Sequence, residues 1–233
     1  MRFILLIVFI SLGGSGFTQN YTESVDYFDR LTVSRGIEAT LYASNDKVLE
    51  IQYAGIDRDD IIIQSSNGSL KLKVSSEALW DQIEEDDGWW VRVKIPYRHL
   101  EYLEVTTGAA VYVKDPLKEE QLDIETSMGG ELDATVEIGS LFLQNSMGGV
   151  VDIVGTADEL DIVGNMGAVT DASDLVAKVV QAKANMGAEM KVNCSESFSG
   201  KASMGGYIRV FGDPGRFRDS SSMGGEISGR NRH

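Results

Sequence analysis

The chain has 233 residues, 42% hydrophobic and 24% charged, and carries a formal net charge of -15. That apolar content excludes a wholly disordered chain, and the acidic balance argues against nucleic acid or an anionic lipid surface as partner. Glycines number 25 against 3 prolines, which favours many tight corners between strands over a proline-rich linker.

Residues 1–19 read as a secretory signal peptide. Arg2 supplies a short positive start, Phe3 to Ile10 an apolar stretch, and Gly14-Ser15-Gly16 small residues for cleavage. The apolar run is too short to span a bilayer. No second long run follows, so the mature chain is expected to be exported, periplasmic or at the cell surface, with no transmembrane segment. Cys194 is the only cysteine, so no internal disulfide can form.

Residues 20–105 read as an irregular β region that caps a larger structure. Leu70-Lys71-Leu72-Lys73-Val74 and Val91-Arg92-Val93-Lys94-Ile95 alternate cleanly, with one buried and one wet face. Asn67-Gly68 between two such runs predicts a type I′ hairpin. The loop from Trp80 to Trp90 is acidic and flanked by tryptophans. Trp80, Trp89 and Trp90 are candidate ligand-binding residues, because indoles beside carboxylates can stack on sugars or cations. The structural reading is a solvated turn whose tryptophans pack inward. Trp89 and Trp90 would face opposite sides of a strand, one in the core and one freer.

Residues 106–229 carry an internal repeat, followed by a polar tail at 230–233. A tetrapeptide of Ser or Asn, Met, Gly, then Gly or Ala occurs six times, centred on Met128, Met147, Met166, Met186, Met204 and Met223. The methionines are spaced 19, 19, 20, 18 and 19 apart, and Thr106-Thr107-Gly108-Ala109 is a degenerate earlier copy. Six residues before each Met stand Leu122, Leu141, Leu160, Val180, Phe198 and Phe217; four after stand Leu132, Val151, Thr170, Met190, Ile208 and Ile227. These positions share one parity, and most between them are polar, so the pattern is period-two strand with one face buried. The fold class predicted is all-β: a right-handed parallel β-solenoid, β-helix-like, with coils of about 19 residues.

Within each coil, Gly129, Gly148, Gly167, Gly187, Gly205 and Gly224 are expected at tight corners with positive φ. The Met column shares the parity of the apolar positions and is therefore expected inside, as a ladder of flexible thioethers. An exposed stripe that binds a soft metal or a partner is the alternative, available only if the corner reverses that parity.

Five residues after three successive methionines stand Asp133, Asp152 and Asp171. In register they stack on the outer face, where calcium would relieve their repulsion. Lys191 and Arg209 continue the column and offer a charge ladder instead. No cofactor is otherwise indicated. His99 and Cys194 lie in no recognisable zinc, triad or redox motif.

The run Phe28-Asp29-Arg30-Leu31-Thr32-Val33-Ser34-Arg35-Gly36-Ile37-Glu38-Ala39-Thr40-Leu41 resembles the opening of the GIN-domain family, the auto-transporter adhesin head domain. Leu49-Glu50-Ile51, the hairpin through Gly68 to Leu70 and the Gly-Gly repeats extend that resemblance over nearly the whole mature chain. The chain departs from it in carrying Met regularly before the glycines. The resemblance implies an exported bacterial β-helix-like protein. The function expected is non-enzymatic, adhesin-like binding or scaffolding, with a protein or glycan of the cell envelope recognised through a rigid acidic surface. The alternatives are a polysaccharide-acting enzyme on a β-helix face and a lipid-binding or envelope-stress module.

Overall fold

The structure, a computed structural model, describes residues 18–77 and 88–229. The signal segment up to residue 17, Trp80 with its acidic loop, and the tail 230–233 lie outside the described residues. The first strands are β1 (Gln19–Ser24), β2 (Arg30–Ser34), β3 (Ile37–Ala43), β4 (Val48–Ala54), β5 (Ile61–Ser66) and β6 (Ser69–Val74). They are followed by β7 (Trp90–Tyr97), β8 (Tyr102–Thr106), β9 (Ala110–Val113) and β10 (Leu117–Ser127). Long strands then dominate: β11 (Glu131–Asn145), β12 (Val150–Gly164), β13 (Val169–Asn185) and β14 (Glu189–Ser203). The last are β15 (Tyr207–Phe211), β16 (Arg216–Ser222) and β17 (Glu226–Ser228).

These strands wind into a β-solenoid of about 7 turns. Strands β8 to β17 pair in parallel with the equivalent strand of the next coil, one repeat apart: Leu122 with Leu141, Leu141 with Leu160, Leu160 with Val180, and Val180 with Phe198. Parallel neighbours lie about 4.8 Å apart, so each interior position becomes a continuous apolar row. The rows six before and four after Met are buried through the coil that contains Met190 and Phe198.

A 19-residue coil imposes a constraint on strand alternation. Nineteen is odd, so a strict inside–outside alternation cannot return to the same face after one turn unless it slips once. In β11 the slip falls at Gly139-Ser140: Leu132, Ala134, Val136 and Ile138 are buried, then Leu141 and Leu143. The strand must also reverse direction there, because its two ends lie at stacked corners. The 20- and 18-residue spacings have a visible cause as well. β13 holds an extra residue between the partners of Asp152 and Gly155, and the register shifts back on pairing with β14.

The N-terminal strands belong to the same stack. β2 pairs in parallel with β6 and β8, and β3 with β7 and β9. The pairing then turns antiparallel: β5 with β6 across Asn67-Gly68, and β4 with both β7 and β1. Asn67 and Gly68 both have positive φ, as the hairpin reading requires. These antiparallel strands close one end of the parallel stack. At the other end the interior rows turn polar, with Asp219 and Ser221 following Phe217, and β16 is largely exposed. A polar outer face suits a terminal coil.

Candidate functional site: the corner column and the acidic coils

Each tetrapeptide forms one corner. Met128, Met147, Met166, Met186, Met204 and Met223 have φ between 48° and 51°, and the following glycines between 70° and 77°. The N–H of the fourth residue donates to the C=O of the first, as Gly130 to Ser127 at 2.9 Å and Gly149 to Ser146 at 3.0 Å. Two successive left-handed residues closed by this bond are the signature of a type I′ turn. The corners also bond to one another. Gly129 N–H donates to Met147 C=O at 3.2 Å, Gly148 to Met166 at 3.2 Å, and Gly187 to Met204 at 3.1 Å. The backbone ladder therefore runs through the corner without a break.

This geometry corrects the expectation of an interior methionine ladder. The first five methionines of the column are 45–51% exposed, and Met223 is 80% exposed. Alternation places side chains only while the backbone is extended. The left-handed pair swings positions two and three outward, then restores the parity at the buried fourth residue. Met190, by contrast, occupies an interior row and is fully buried.

Residues beside the methionines form a ladder of their own. Asn185 Nδ2 donates to Asn165 Oδ1 at 3.1 Å, and Ser203 Oγ to Asn185 Oδ1 at 2.6 Å. Thr106 and Ser127 hydroxyls meet at 2.9 Å. These polar groups thus bond to side chains of neighbouring coils rather than only to nearby backbone. One residue before the Met147 corner, fully buried Asn145 places Nδ2 3.1 Å from Gly149 O and 2.9 Å from Val169 O, which ties the corner to the next coil.

Two corners lacked the Met signal. Thr107 and Gly108 have φ of 55° and 68°, Arg35 and Gly36 of 59° and 70°. Gly36 N–H donates to Thr107 C=O and Gly108 N–H to Met128 C=O, so both corners extend the same column. Only the positive-φ glycine is common to all, and a search keyed on that glycine and the flanking strands, rather than on Met, adds Arg35-Gly36 to the degenerate copy at Thr107-Gly108.

Asp133, Asp152 and Asp171 stand in register on adjacent coils, with Lys191 and Arg209 next. Burial, then the neighbouring Asp171 and Asp133 carboxylates, raise the pKa of Asp152. Burial also opposes ionisation of Asp171, but hydrogen bonds from Lys191 and Ser173 outweigh it and hold its pKa low. Lys191 Nζ lies 2.7 Å from Asp171 Oδ2, and Ser173 Oγ 2.6 Å from Oδ1. The column carries its own counter-charge at this end. Among the described residues, no group of three or more His, Cys, Asp or Glu side chains is placed to hold a metal ion.

Trp89 and Trp90, the two described tryptophans, do not converge. Trp89 packs against the core with its ring over Gly36, while the Arg92 guanidinium lies 4.8 Å from the Trp90 ring centroid. Cys194 is buried, its Sγ donating to Lys178 O at 3.5 Å, and burial pushes its thiol pKa up. A protonated, enclosed thiol is a poor nucleophile.

His99 sits at the rim of an open depression of about 450 Å³ lined by Arg30, Glu101, Glu119 and Asp123. Its Nε2 lies 3.1 Å from Glu101 Oε1, and Nδ1 meets Glu119 Oε2. Glu119 is the better enclosed partner and accepts from the Leu100 N–H at 2.9 Å. His99 and Glu119 are twenty residues apart, about one coil, which is the signal that could have paired them. The hydrogen bond to Glu101, then that to Glu119, raises the His99 pKa against a burial effect of opposite sign. A raised folded-state pKa stabilises fully below the unfolded value and fades as pH rises through the folded one. His99→Gln should therefore lower the urea midpoint clearly at about pH 5.5 and much less at about pH 8.5. An equal loss at both would contradict the ion-pair assignment.

Comparison with known proteins places this geometry among relatives. Residues 27–214 match the family described as "Putative auto-transporter adhesin, head GIN domain". Among curated protein sequences, none matches the chain. A crystal structure of a putative adhesin from Bacteroides fragilis superposes with a TM-score of 0.75 at 19% identity, covering 91% of this chain and 97% of the other. A putative lipid binding protein from Parabacteroides distasonis gives 0.68 at 14%, covering 92% and 97%. A putative adhesin from Parabacteroides merdae gives 0.68 at 15%, covering 92% and 96%. At these identities the likeness shows the fold. No helix among the described residues is long and apolar enough to cross a membrane.

Proposed function

The chain belongs to the family of the auto-transporter adhesin head GIN domain, and from that membership we propose that it is an exported, non-enzymatic binding and scaffolding protein of the cell envelope. The observation that carries this reading is the segregation of charge along the solenoid axis. Between residues 115 and 162 there are twelve acidic residues and one basic; between 178 and 218 there are seven basic and three acidic. In-register coils convert that sequence bias into an acidic middle and a basic C-terminal segment on one rigid body. Such a surface attracts a cationic protein or a glycan presented with cations, and it sets orientation as well as on-rate.

The test is binding of the purified mature chain to cell-envelope fractions, compared with a Glu131→Gln, Asp133→Asn, Asp152→Asn variant. Saturable binding that weakens with salt and weakens further in the variant is the expected result. Absence of saturable binding would overturn the reading, and turnover in a glycan-degradation screen would replace it with the polysaccharide-acting alternative. The lipid-binding description of one structural neighbour favours a second reading, for which lipid co-purifying with the chain is the discriminating result.

A further inference from the structure

We propose that the corner column is a binding site for a soft monovalent metal ion of the Cu(I) or Ag(I) class, held by methionine thioethers from consecutive coils. The starting point is that the fold has no use for methionine there. An L-residue in the left-handed region costs about 1–2 kcal/mol, and Gly or Asn would fill the turn more cheaply. Arg35 and Thr107 form the same corner in the same column with other side chains. Each methionine is about half exposed or more and lies outside the buried core.

The repeats supply an internal comparison. At the interior position six before Met, the copies vary among Leu, Val and Phe. An apolar requirement alone tolerates such exchange, as that buried row shows. In the corner column, all six copies are Met and none is Leu, Val, Ile or Phe. Of the four tetrapeptide positions, the glycine answers to its positive φ. The fourth answers to close approach, since a Cβ on Gly130 or Gly206 would meet the backbone of the neighbouring coil. The first answers to the polar ladder. Only the methionine lacks a structural reason, and what separates it from the apolar residues that could replace it is sulfur.

The geometry suits sulfur ligation. Corner-to-corner hydrogen bonds hold adjacent methionines in register, at the roughly 4.8 Å spacing of neighbouring strands. Metal–sulfur bonds of about 2.3 Å put two sulfurs on one ion at most about 4.6 Å apart. Thioethers on three rotatable bonds can close that difference from adjacent rungs. Thioethers are soft, uncharged ligands that select Cu(I)-like ions over Ca²⁺, Mg²⁺ or Zn²⁺. Among the described residues, the other soft side chains, Met190 and Cys194, are both buried. The acidic coils that carry Met128 and Met147 further favour accumulation of cations at that end of the column.

The experiment titrates Ag(I), and Cu(I) under reducing conditions, into the full mature chain carrying Cys194→Ala, with Ca²⁺ and Zn²⁺ as controls. Leu in the left-handed region is as costly as Met, so Met147→Leu, Met186→Leu, Met223→Leu should fold with an unchanged melting temperature while leaving no two methionines of the column on adjacent coils. The expected result is saturable Ag(I) and Cu(I) binding, weak or absent binding of the controls, and sulfur-only scattering in X-ray absorption of the Cu(I) form. In the triple variant affinity should fall at least about tenfold, the lower end of what loss of a supporting group costs a metal site. Should the triple variant misfold, each of the three single substitutions should instead lower the number of ions bound while the remaining adjacent pairs keep their affinity. No binding by the parent chain, or equal binding after Leu substitution, overturns the proposal. An apolar probe bound alike by parent and Leu variant, with no Ag(I) bound, would overturn it in favour of a hydrophobic docking stripe.

Discussion

Gly155→Ala should destabilise the protein by about 3 kcal/mol or more, lowering the melting temperature by roughly 6–12 °C. Gly155 has φ +126, a conformation closed to L side chains, and a Cβ there would overlap the Val136 carbonyl oxygen of the preceding coil. That oxygen is backbone on a paired strand, so it cannot move aside without opening the β11–β12 ladder. Both costs, torsional and steric, fall on one methyl group. Gly148→Ala provides the contrast. It also sits at positive φ, but nothing lies within 4 Å of the added atom. Its cost should be only the left-handed penalty of about 1–2 kcal/mol. Equal losses for the two variants, measured by thermal melting, would mean that the coils are not packed as closely as described.

Phe198→Ala should cost about 3–5 kcal/mol, with the damage concentrated at the C-terminal end. Phe198 is fully buried and its ring centroid lies 4.9 Å from that of Phe217 in the last coil. It is the largest fully buried member of its interior row, and the row beside it compensates. Where Leu141 faces Leu143 and Leu160 faces Ile162, Phe198 is accompanied by Gly200. A Cβ on Gly200 would come within 2.5 Å of Phe198 Cζ. The exchange of volume between adjacent rows predicts that Phe198→Leu with Gly200→Ala costs less than about 1.5 kcal/mol, as volume-conserving swaps do. Because coils gain stability from their neighbours, Phe198→Ala should lose amide protection in β15–β17 before β10–β12. Uniform loss along the chain would contradict a nearest-neighbour stack.

Much of this architecture was legible in the sequence for a physical reason. Parallel in-register stacking demands the same kind of side chain at the same place in every coil, so the Leu122-to-Phe217 row is visible before any coordinate. The glycine after Met and the Asn67-Gly68 hairpin were legible because positive φ selects so few residues. The failures are equally specific. Parity put methionine inside, because alternation assumes extended backbone and the type I′ corner suspends it for two residues. Arg35-Gly36 is not legible as a corner from the repeat, because the turn tolerates Arg while the six repeated tetrapeptides carry Met. The charge bias of residues 115–218 was on the page, yet only the coil order turns it into a surface with two ends. His99 and Glu119 needed the coil offset to become neighbours.

Peptide-mapped oxidation with dilute hydrogen peroxide tests the inside–outside assignment most directly, since sulfoxide formation follows access to the thioether. Met128, Met147, Met166, Met186, Met204 and Met223 should oxidise at least roughly tenfold faster than Met190, with Met223 fastest, and Met190 should react only on unfolding. A native protein in which Met190 reacts as quickly as the six, or in which the six are protected together, would place the sulfur column in the core and contradict the structure described.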